Sequence, residues 1–227
     1  MTLIVPFYNE ARTIAELVKQ LEKTSSIFES CVFVDDGSSD ESYDLLQRSL
    51  PGISFESSTV RQSNLGKGSA IRAGLKLVKT SHAAILDADL ELDPKDLIEL
   101  WQPIREGQAQ ASLGYRQFLS QSSYTYRYKV GNRILSAIYG LIFNRVITDV
   151  MCGYKVFPSN LFEGTKYRGR RFSIEIDILA ELWRQDIQPF EVQVSYKSRN
   201  KSQGKIIGYS DAFFVIFRMI YLRLKRK

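Results

Sequence analysis

The chain has 227 residues, of which 44% are hydrophobic, a size and composition that suit one domain with an ordinary core. Its two cysteines, Cys31 and Cys152, have neither C-x-x-C nor zinc-ligand spacing, which argues against a disulfide scaffold or a zinc finger and favours a reduced, cytoplasmic setting. The net charge of +6 admits an anionic partner such as nucleic acid, a phospholipid surface or a phosphorylated substrate.

Short apolar runs alternate with amphipathic helical stretches through the first half of the chain. The pattern predicts strands over 3–6, 32–34, 53–55 and 83–86, and helices over 12–23, 39–49 and 68–78. Asp93 and Pro94 resemble a helix N-cap followed by proline at the first helical position. This alternation predicts an α/β fold with a mainly parallel central sheet flanked by helices.

The second half of the chain is less regular. Its pattern predicts helices over 128–146 and 174–185, strands over 111–114 and 190–194, and a final amphipathic helix over 208–227. We expect neither a membrane-spanning helix nor a signal peptide. No apolar run approaches the roughly 20 residues that a span requires, and the N-terminus enters a core-like strand at once.

Three carboxylates, Asp87, Asp89 and Glu91, occupy alternate positions directly after the predicted strand 83–86. Alternate residues of an extended segment point the same way, and ligands of open α/β sheets bind at the carboxyl ends of strands. Because such carboxylates repel one another, a divalent cation is an expected counter-charge. Mg²⁺ or Mn²⁺ suits this position, since either is held by one or two carboxylates plus substrate phosphates. An isolated D-x-D more often consists of solvated loop residues.

Four motifs follow one another at predicted strand ends and helix starts. They are Val-Pro-Phe-Tyr-Asn-Glu at 5–10, Val-Asp-Asp-Gly-Ser-Ser-Asp at 34–40, Asn-Leu-Gly-Lys-Gly at 64–68 and Asp-Ala-Asp at 87–89. In this order they resemble family 2 glycosyltransferases of the GT-A fold, and within that family the polyprenyl- or dolichyl-phosphate sugar synthases and their bacterial relatives. Segments 152–157 and 195–209 also match. The resemblance implies a catalytic domain over 1–207 and a nucleotide diphosphate sugar as donor.

The resemblance assigns the donor site residue by residue. The residues that it places around the nucleotide sugar are Pro6, Tyr8, Glu10, Asp35, Asp36, Lys67, Asp87 and Ala88. Asp35 or Asp36 would accept a hydrogen bond from the base; uracil and guanine both offer an N–H edge, so UDP and GDP stay open. Lys67 would meet phosphate oxygens at a helix N-terminus. The implied metal ligands are Asp87, Asp89 and, more weakly, Glu91.

A phosphate monoester acceptor is already an anion at neutral pH, so the reaction needs positioning cations and no strong general base. The resemblance assigns Arg116 to the acceptor phosphate, with Arg127, Lys129 and Arg133 as further candidates. Arg199 and Lys205 belong to a segment that closes over the donor diphosphate in the family; R-x-x-x-x-G-K replaces R-G-x-S-K here, which makes Lys205 the expected phosphate contact. The implied catalytic residues are Asp89, Arg116, Asp177, Arg199 and Lys205.

Two basic amphipathic stretches, 128–146 and 208–227, suit either the membrane interface or ordinary packing on the sheet. We therefore expect an inverting transfer of a hexose from a UDP- or GDP-sugar to polyprenyl phosphate, with peripheral attachment to the cytoplasmic face of the cell membrane. One alternative is a sugar or glycolipid hydroxyl as acceptor, with Asp177 or Glu175 as general base. A more distant alternative is a basic module that binds membrane or nucleic acid. The oligomeric state stays open.

Overall fold

A computed structural model describes residues 1–116, 126–163, 173–197 and 209–225; for 126–128 and 209–211 it describes the backbone alone. Seven strands lie in this part of the chain: β1 (Thr2–Phe7), β2 (Ser30–Asp35), β3 (Glu56–Arg61), β4 (His82–Ile85), β5 (Ser112–Arg116), β6 (Lys155–Pro158) and β7 (Phe190–Val194). They form one sheet in the order β3-β2-β1-β4-β6-β5-β7. Only β6 among these strands pairs antiparallel with its neighbours, β4 and β5.

Because β6 runs antiparallel to β4 and β5, its first residues lie beside the last residues of β4. Lys155, its first residue, is opposite Ile85, the last residue of β4. The start of β6 therefore lies at the same sheet edge as the carboxyl ends of the other strands. This is the edge where ligands of open α/β sheets bind, so segments from both halves of the chain meet there.

Helices cover both faces of the sheet. They are α1 (Ile14–Glu22), α2 (Ser42–Ser49), α3 (Lys67–Leu75), α4 (Leu97–Arg105), α5 (Tyr126–Phe143), α6 (Ile174–Arg184) and α7 (Tyr209–Leu224). Along β1, Ile4 belongs to a buried cluster with α3, α5, α6 and α7, whereas Leu3 and Val5 belong to a second cluster with α1, α2 and α4. The alternation is the period of two that a strand buried on both faces requires. The α/β prediction is confirmed.

The C-terminal helix α7 contacts α5 and α6. Val215 and Met219 are buried in the main cluster, whereas Phe213 and Phe217 are 67% and 70% exposed. No helix in the described part of the chain is both long and apolar enough to cross a membrane. The division into a domain over 1–207 and a separate helix over 208–227 stays a prediction.

The predicted and observed strands differ in two places. The segment 53–55 is not a strand; the backbone N–H of Ile53 donates to Leu50 O in a turn, and the strand begins at Glu56 instead. This strand, β3, lies at the edge of the sheet and carries mostly polar residues, so apolar patterning misses it. Strand β6 was not predicted, because Lys155 interrupts its apolar run. The predicted cap is confirmed: Asp93 Oδ1 accepts from the Lys95 N–H at 3.0 Å, before Pro94.

Candidate active site

The loops that follow β1 and β2 are fastened to each other at the carboxyl edge of the sheet. Asn9 Oδ1 accepts a hydrogen bond from the Ser39 N–H at 2.9 Å, and the Asn9 N–H donates to Ser38 Oγ at 3.0 Å. Asn9 has a positive φ of 55°, which asparagine tolerates better than most residues. The motif around 5–10 suggested donor contacts for its neighbours, but it gave no signal for this bracing role of Asn9.

The predicted contacts of the base lie close to these loops. Pro6 is buried within β1, Tyr8 is 38% exposed at its end, and Ala88 is buried after β4. Glu10 is half-buried, and its Oε2 accepts from the Thr13 hydroxyl at 2.9 Å. Tyr8 thus offers an exposed aromatic ring to a ligand at this edge, and the assignment of these residues to the nucleotide stays a prediction.

Asp35 and Asp36 are both buried, and both have partners within the protein. Asp35 Oδ1 accepts from the Ser38 N–H at 2.8 Å, and its Oδ2 lies 3.1 Å from Arg61 Nε, an ion pair without hydrogen-bond alignment. Sequence reasoning missed Arg61, which follows no motif. Asp35 keeps an oxygen without a hydrogen bond among the described residues, so it suits a base N–H better than its neighbour does.

Asp36 holds the loop that leads into α3. Its Oδ1 accepts from the Gln62 side-chain amide at 2.6 Å and from the Leu65 N–H at 3.0 Å, and its Oδ2 accepts from the Gly66 N–H at 2.8 Å. Gly66 has a φ of +90°, a conformation that glycine adopts without strain. These bonds place Lys67 at the start of the helix, where the sequence predicts it.

Lys67 is the centre of the site. Its Nζ lies 2.7 Å from Asp87 Oδ1, 2.8 Å from Asp87 Oδ2 and 2.7 Å from Glu175 Oε1. Burial alone would lower the pKa of Lys67, but the charges of Asp87 and Glu175 raise it well above its usual value. The lysine is therefore charged throughout the physiological pH range. It links the carboxyl end of β4 to the first turn of α6.

The two other predicted metal ligands have partners of their own. Asp89 Oδ1 accepts from the Glu91 N–H at 3.0 Å, and Glu91 Oε2 accepts from the Tyr196 hydroxyl at 2.7 Å. Among the residues that the structure describes, no three His, Cys, Asp or Glu side chains lie together as a metal-binding group. Glu91 is thus drawn toward Tyr196, and the assignment of Asp87, Asp89 and Glu91 to a metal ion stays a prediction.

The Cys152-Gly153 turn packs directly against the Lys67 pair. A Cβ atom added to Gly153 would lie 2.5 Å from Asp87 Oδ2 and 3.1 Å from Lys67 Nζ, so glycine is required for this close approach. Cys152 is fully buried, and burial raises the pKa of its thiol to about 11. It suits packing and not nucleophilic chemistry.

Arg116, the predicted acceptor contact, forms a bidentate ion pair with Asp149. Its Nε lies 2.7 Å from Asp149 Oδ2 and its Nη2 2.9 Å from Oδ1, and the Asn132 amide also donates to Oδ1 at 2.7 Å. Burial would raise the pKa of Asp149, but the Arg116 charge and these hydrogen bonds hold it below its usual value. Asp149 therefore fixes the orientation of the guanidinium.

The other predicted cations differ in what the structure says of them. Arg133 is exposed on α5 and Lys129 is half-buried, so both stay candidates for the acceptor phosphate. Arg199, Lys205 and the side chain of Arg127 lie outside the described residues. Their assignments stay predictions.

Asp177 is held by an arginine of α7 and a serine before α6. Its Oδ1 accepts from Nε and Nη2 of Arg218 at 2.9 and 2.6 Å, and its Oδ2 accepts from the Ser173 hydroxyl at 3.0 Å. The ion pair with Arg218 joins α6 to α7. The assignment of Asp177 as a catalytic residue stays a prediction. Arg218 carried no motif and was missed.

Lys155 was also missed, although a lysine in the apolar run Tyr-Lys-Val-Phe is a usable signal. Its side chain is fully buried at the start of β6, and burial lowers the pKa of its ammonium. Glu175, Asp149 and Lys67 all interact with it electrostatically. It pairs with Ile85, which belongs to the buried cluster with α3, α5 and α6.

Comparison with known proteins agrees with this geometry. The family model for glycosyl transferase family 2 matches residues 2–179. A UDP-N-acetylglucosamine–dolichyl-phosphate N-acetylglucosaminyltransferase from Methanococcus voltae is 25% identical over 248 residues, covering 98% of this chain and 95% of that protein. A dodecaprenyl-phosphate galacturonate synthase from Rhizobium johnstonii is 23% identical over 242 residues, covering all of this chain and 68% of that protein.

Solved structures support the same fold. The glucosyl-3-phosphoglycerate synthase of Mycobacterium tuberculosis, crystallised with Mg²⁺ and UDP, superposes with a TM-score of 0.74 at 15% identity, covering 99% of this chain and 78% of that one. The family match extends over most of the chain, from β1 into α6. The chain belongs to glycosyltransferase family 2 and is a glycosyltransferase of the GT-A fold.

Proposed function

We propose that this enzyme transfers a hexose from a UDP- or GDP-sugar to a polyprenyl phosphate, with inversion at the anomeric carbon. The observation that carries the donor half is the cluster of Lys67, Asp87 and Glu175 at the carboxyl end of β4. It combines an ammonium at a helix N-terminus with a carboxylate at a strand end, which is the pair of charges that a metal-bound diphosphate needs. The relatives' names support the lipid acceptor.

The site also fits a divalent cation. Both oxygens of Asp87 lie within 2.8 Å of the Lys67 ammonium, so a positive charge is already favourable at this carboxylate. Asp87 and Asp89 would hold the ion, and Lys67 would turn on its flexible stem toward the phosphates. A bound Mg²⁺ or Mn²⁺ would supply neutralisation of the charge that develops on the departing diphosphate. The solved relative with Mg²⁺ and UDP supports this proposal.

The acceptor side needs a fixed cation and no proton acceptor. Arg116 is 12% exposed, and the buried Asp149 holds its guanidinium in one orientation. A phosphate monoester that approaches this guanidinium is oriented before it attacks. Of the two acids that could serve a hydroxyl acceptor as base, Asp177 is held by Arg218, whereas Glu175 bonds Lys67 through one oxygen only. The fixed cation and the relatives' names favour the phosphate acceptor.

Helices α5 and α7 provide an apolar surface that suits a lipid acceptor. Leu141 is 85% exposed on α5, and Phe213, Phe217 and Leu224 are 67%, 70% and 75% exposed on α7. Exposed apolar residues on packed helices mark a membrane or partner surface. The overall positive charge of the chain favours anionic headgroups. We infer peripheral attachment of this surface to the cytoplasmic face of the membrane.

The test is transfer from radiolabelled UDP-glucose, UDP-N-acetylglucosamine and GDP-mannose to undecaprenyl phosphate in detergent, with and without MnCl₂. We expect one donor to give a chloroform-soluble, acid-labile product. Asp89→Asn and a chelator should each lower the rate by at least about 100-fold, the usual cost of losing electrostatic stabilisation of a transition state.

Glu106→Gln is the matched control, because Glu106 is exposed at the end of α4, at the opposite edge of the sheet. It should retain full activity. Activity that survives both Asp89→Asn and the chelator would contradict the proposal that Asp87 and Asp89 hold a metal ion. Product that forms with free sugars or glycolipids but not with undecaprenyl phosphate would refute the acceptor.

A further inference from the structure

Three polar side chains around Lys155 are buried and incompletely bonded. Lys155 Nζ, Glu175 Oε2 and Asn132 Oδ1 have no hydrogen-bond partner in the part of the chain that the structure describes. Their side chains belong to residues that are 0%, 3% and 8% exposed. A buried polar atom without a partner costs about 1 to 3 kcal/mol, so three such atoms in one region indicate something that binds there.

These atoms belong to one electrostatic network. Glu175 bonds Lys67 through its other oxygen, Asn132 bonds Asp149 through its amide nitrogen, and the Lys155 ammonium interacts with both Glu175 and Asp149. Lys155 Nζ and Glu175 Oε2 nevertheless make no hydrogen bond to each other. A small polar group that bonds both of them would satisfy the two atoms.

The atoms specify the chemistry of that group. One is a cationic donor and two are acceptor oxygens, so the complement must both accept and donate. A hydroxyl does both, because its oxygen accepts a hydrogen bond from Lys155 while its O–H donates one to Glu175 or Asn132. A phosphate would place acceptors against the two acceptor oxygens, and a metal ion would be repelled by the Lys155 ammonium.

The position suits the sugar of the donor. Lys155 pairs with Ile85, two residues before Asp87, so the cluster lies next to the proposed diphosphate site. Lys67 bridges buried Glu175 and partly exposed Asp87, so it connects the cluster to the diphosphate position. A turn of the flexible Lys67 side chain toward the phosphates would give the hydroxyls of the attached sugar access to the cluster.

We propose that Lys155, Glu175 and Asn132 form a sugar-hydroxyl subsite that binds a pair of neighbouring hydroxyls of the donor hexose. This inference rests on the proposed nucleotide-sugar function and goes beyond it by naming the residues that select the sugar. Lys155 donates hydrogen bonds to both hydroxyl oxygens, and Glu175 and Asn132 accept hydrogen bonds from the two hydroxyls. No bond is made or broken at this subsite.

The test is calorimetric titration of the full chain with whichever of UDP-glucose, UDP-N-acetylglucosamine and GDP-mannose binds, and with its nucleoside diphosphate alone, in MnCl₂. Lys155→Met should bind the nucleoside diphosphate within about twofold of the wild type but the nucleotide sugar about tenfold more weakly, the usual effect of lost hydrogen bonds to a charged group. Lys155→Gln, which keeps an N–H donor, should recover part of that loss. Lys23→Met, on the exposed end of α1, is the matched control.

Monodeoxy analogues of the same donor separate sugar binding from a structural role. The wild type should bind one deoxy donor about tenfold more weakly than the parent donor. Lys155→Met should bind that deoxy donor and the parent donor with nearly the same affinity. Equal deoxy penalties in wild type and variant would overturn the inference and assign the cluster to a structural water. If the wild type binds no nucleotide, the proposed function itself fails and the inference falls with it.

Discussion

Replacing Gly153 with alanine tests the geometry of the Lys67–Asp87 pair directly. The new methyl group would lie 2.5 Å from Asp87 Oδ2 and 3.1 Å from Lys67 Nζ. Asp87 must move by roughly 1 Å to reach ordinary contact, which turns its side chain away from a preferred rotamer at about 0.5 to 1.5 kcal/mol. Because both atoms are the ends of movable side chains, the fold should survive.

The expected effect on catalysis is much larger than the effect on stability. A reacting or positioning group that is misplaced by about 1 Å costs on the order of 100-fold in rate. We therefore expect Gly153→Ala to lower kcat/KM for transfer by about that factor while its free energy of unfolding falls by no more than about 1.5 kcal/mol. Transfer kinetics and urea denaturation measure the two quantities.

Gly131→Ala is the control for this experiment. Nothing lies within 4 Å of a Cβ at Gly131, and the residue is inside α5, where alanine is favoured over glycine by about 0.5 to 1 kcal/mol. This variant should unfold at a higher urea concentration. If Gly153→Ala keeps wild-type kcat/KM, Asp87 does not need its observed position and the reasoning is wrong.

Two further predictions concern the Asp149 ion pair and the surface of α7. Asp149→Asn should cost about 3 kcal/mol of stability at pH 7, because it leaves Arg116 uncompensated. Because the folded-state pKa of Asp149 is lowered, the contribution of the pair is fully present above the unfolded-state pKa of about 4 and is lost as the pH falls through the folded-state pKa. The difference in urea stability between the two proteins should therefore shrink as the pH is lowered into this range; an unchanged gap would contradict this. Phe217→Ser should weaken sedimentation with anionic liposomes several-fold without lowering stability, whereas Ile98→Ser, on α4 across the sheet, should not. Equal losses in both variants would contradict a specific surface.

The sequence predicts most of the fold because its strands and helices have regular patterns. Strands β1, β2 and β4 are short apolar runs buried on both faces, and each is followed by the turn residues of a motif. The failures have local causes. The edge strand Glu56–Arg61 needs few apolar residues, and β6 begins with a buried lysine that disguises it.

The site was predictable in its parts but not in its pairings. The motifs place Lys67 and Asp87 at a helix start and a strand end, and the structure confirms these positions. That Glu175 completes the cluster, and that Arg218 neutralises Asp177, depends on contacts across 108 and 41 residues of chain. No local pattern encodes such distant partners; they follow from the reversal of β6 and from the packing of α6 and α7.

The contact between Lys67 and Glu175 also bears on how the protein is made. During synthesis the N-terminal residues leave the ribosome first, and β1 to β4 can pair before α6 exists. A nascent chain at this stage carries Lys67 and Asp87 but neither Lys155 nor Glu175. We expect competence for catalysis to appear only after α6 has emerged, because contacts of such long sequence separation form late in folding. An unfinished chain would then be unable to consume nucleotide sugar unproductively.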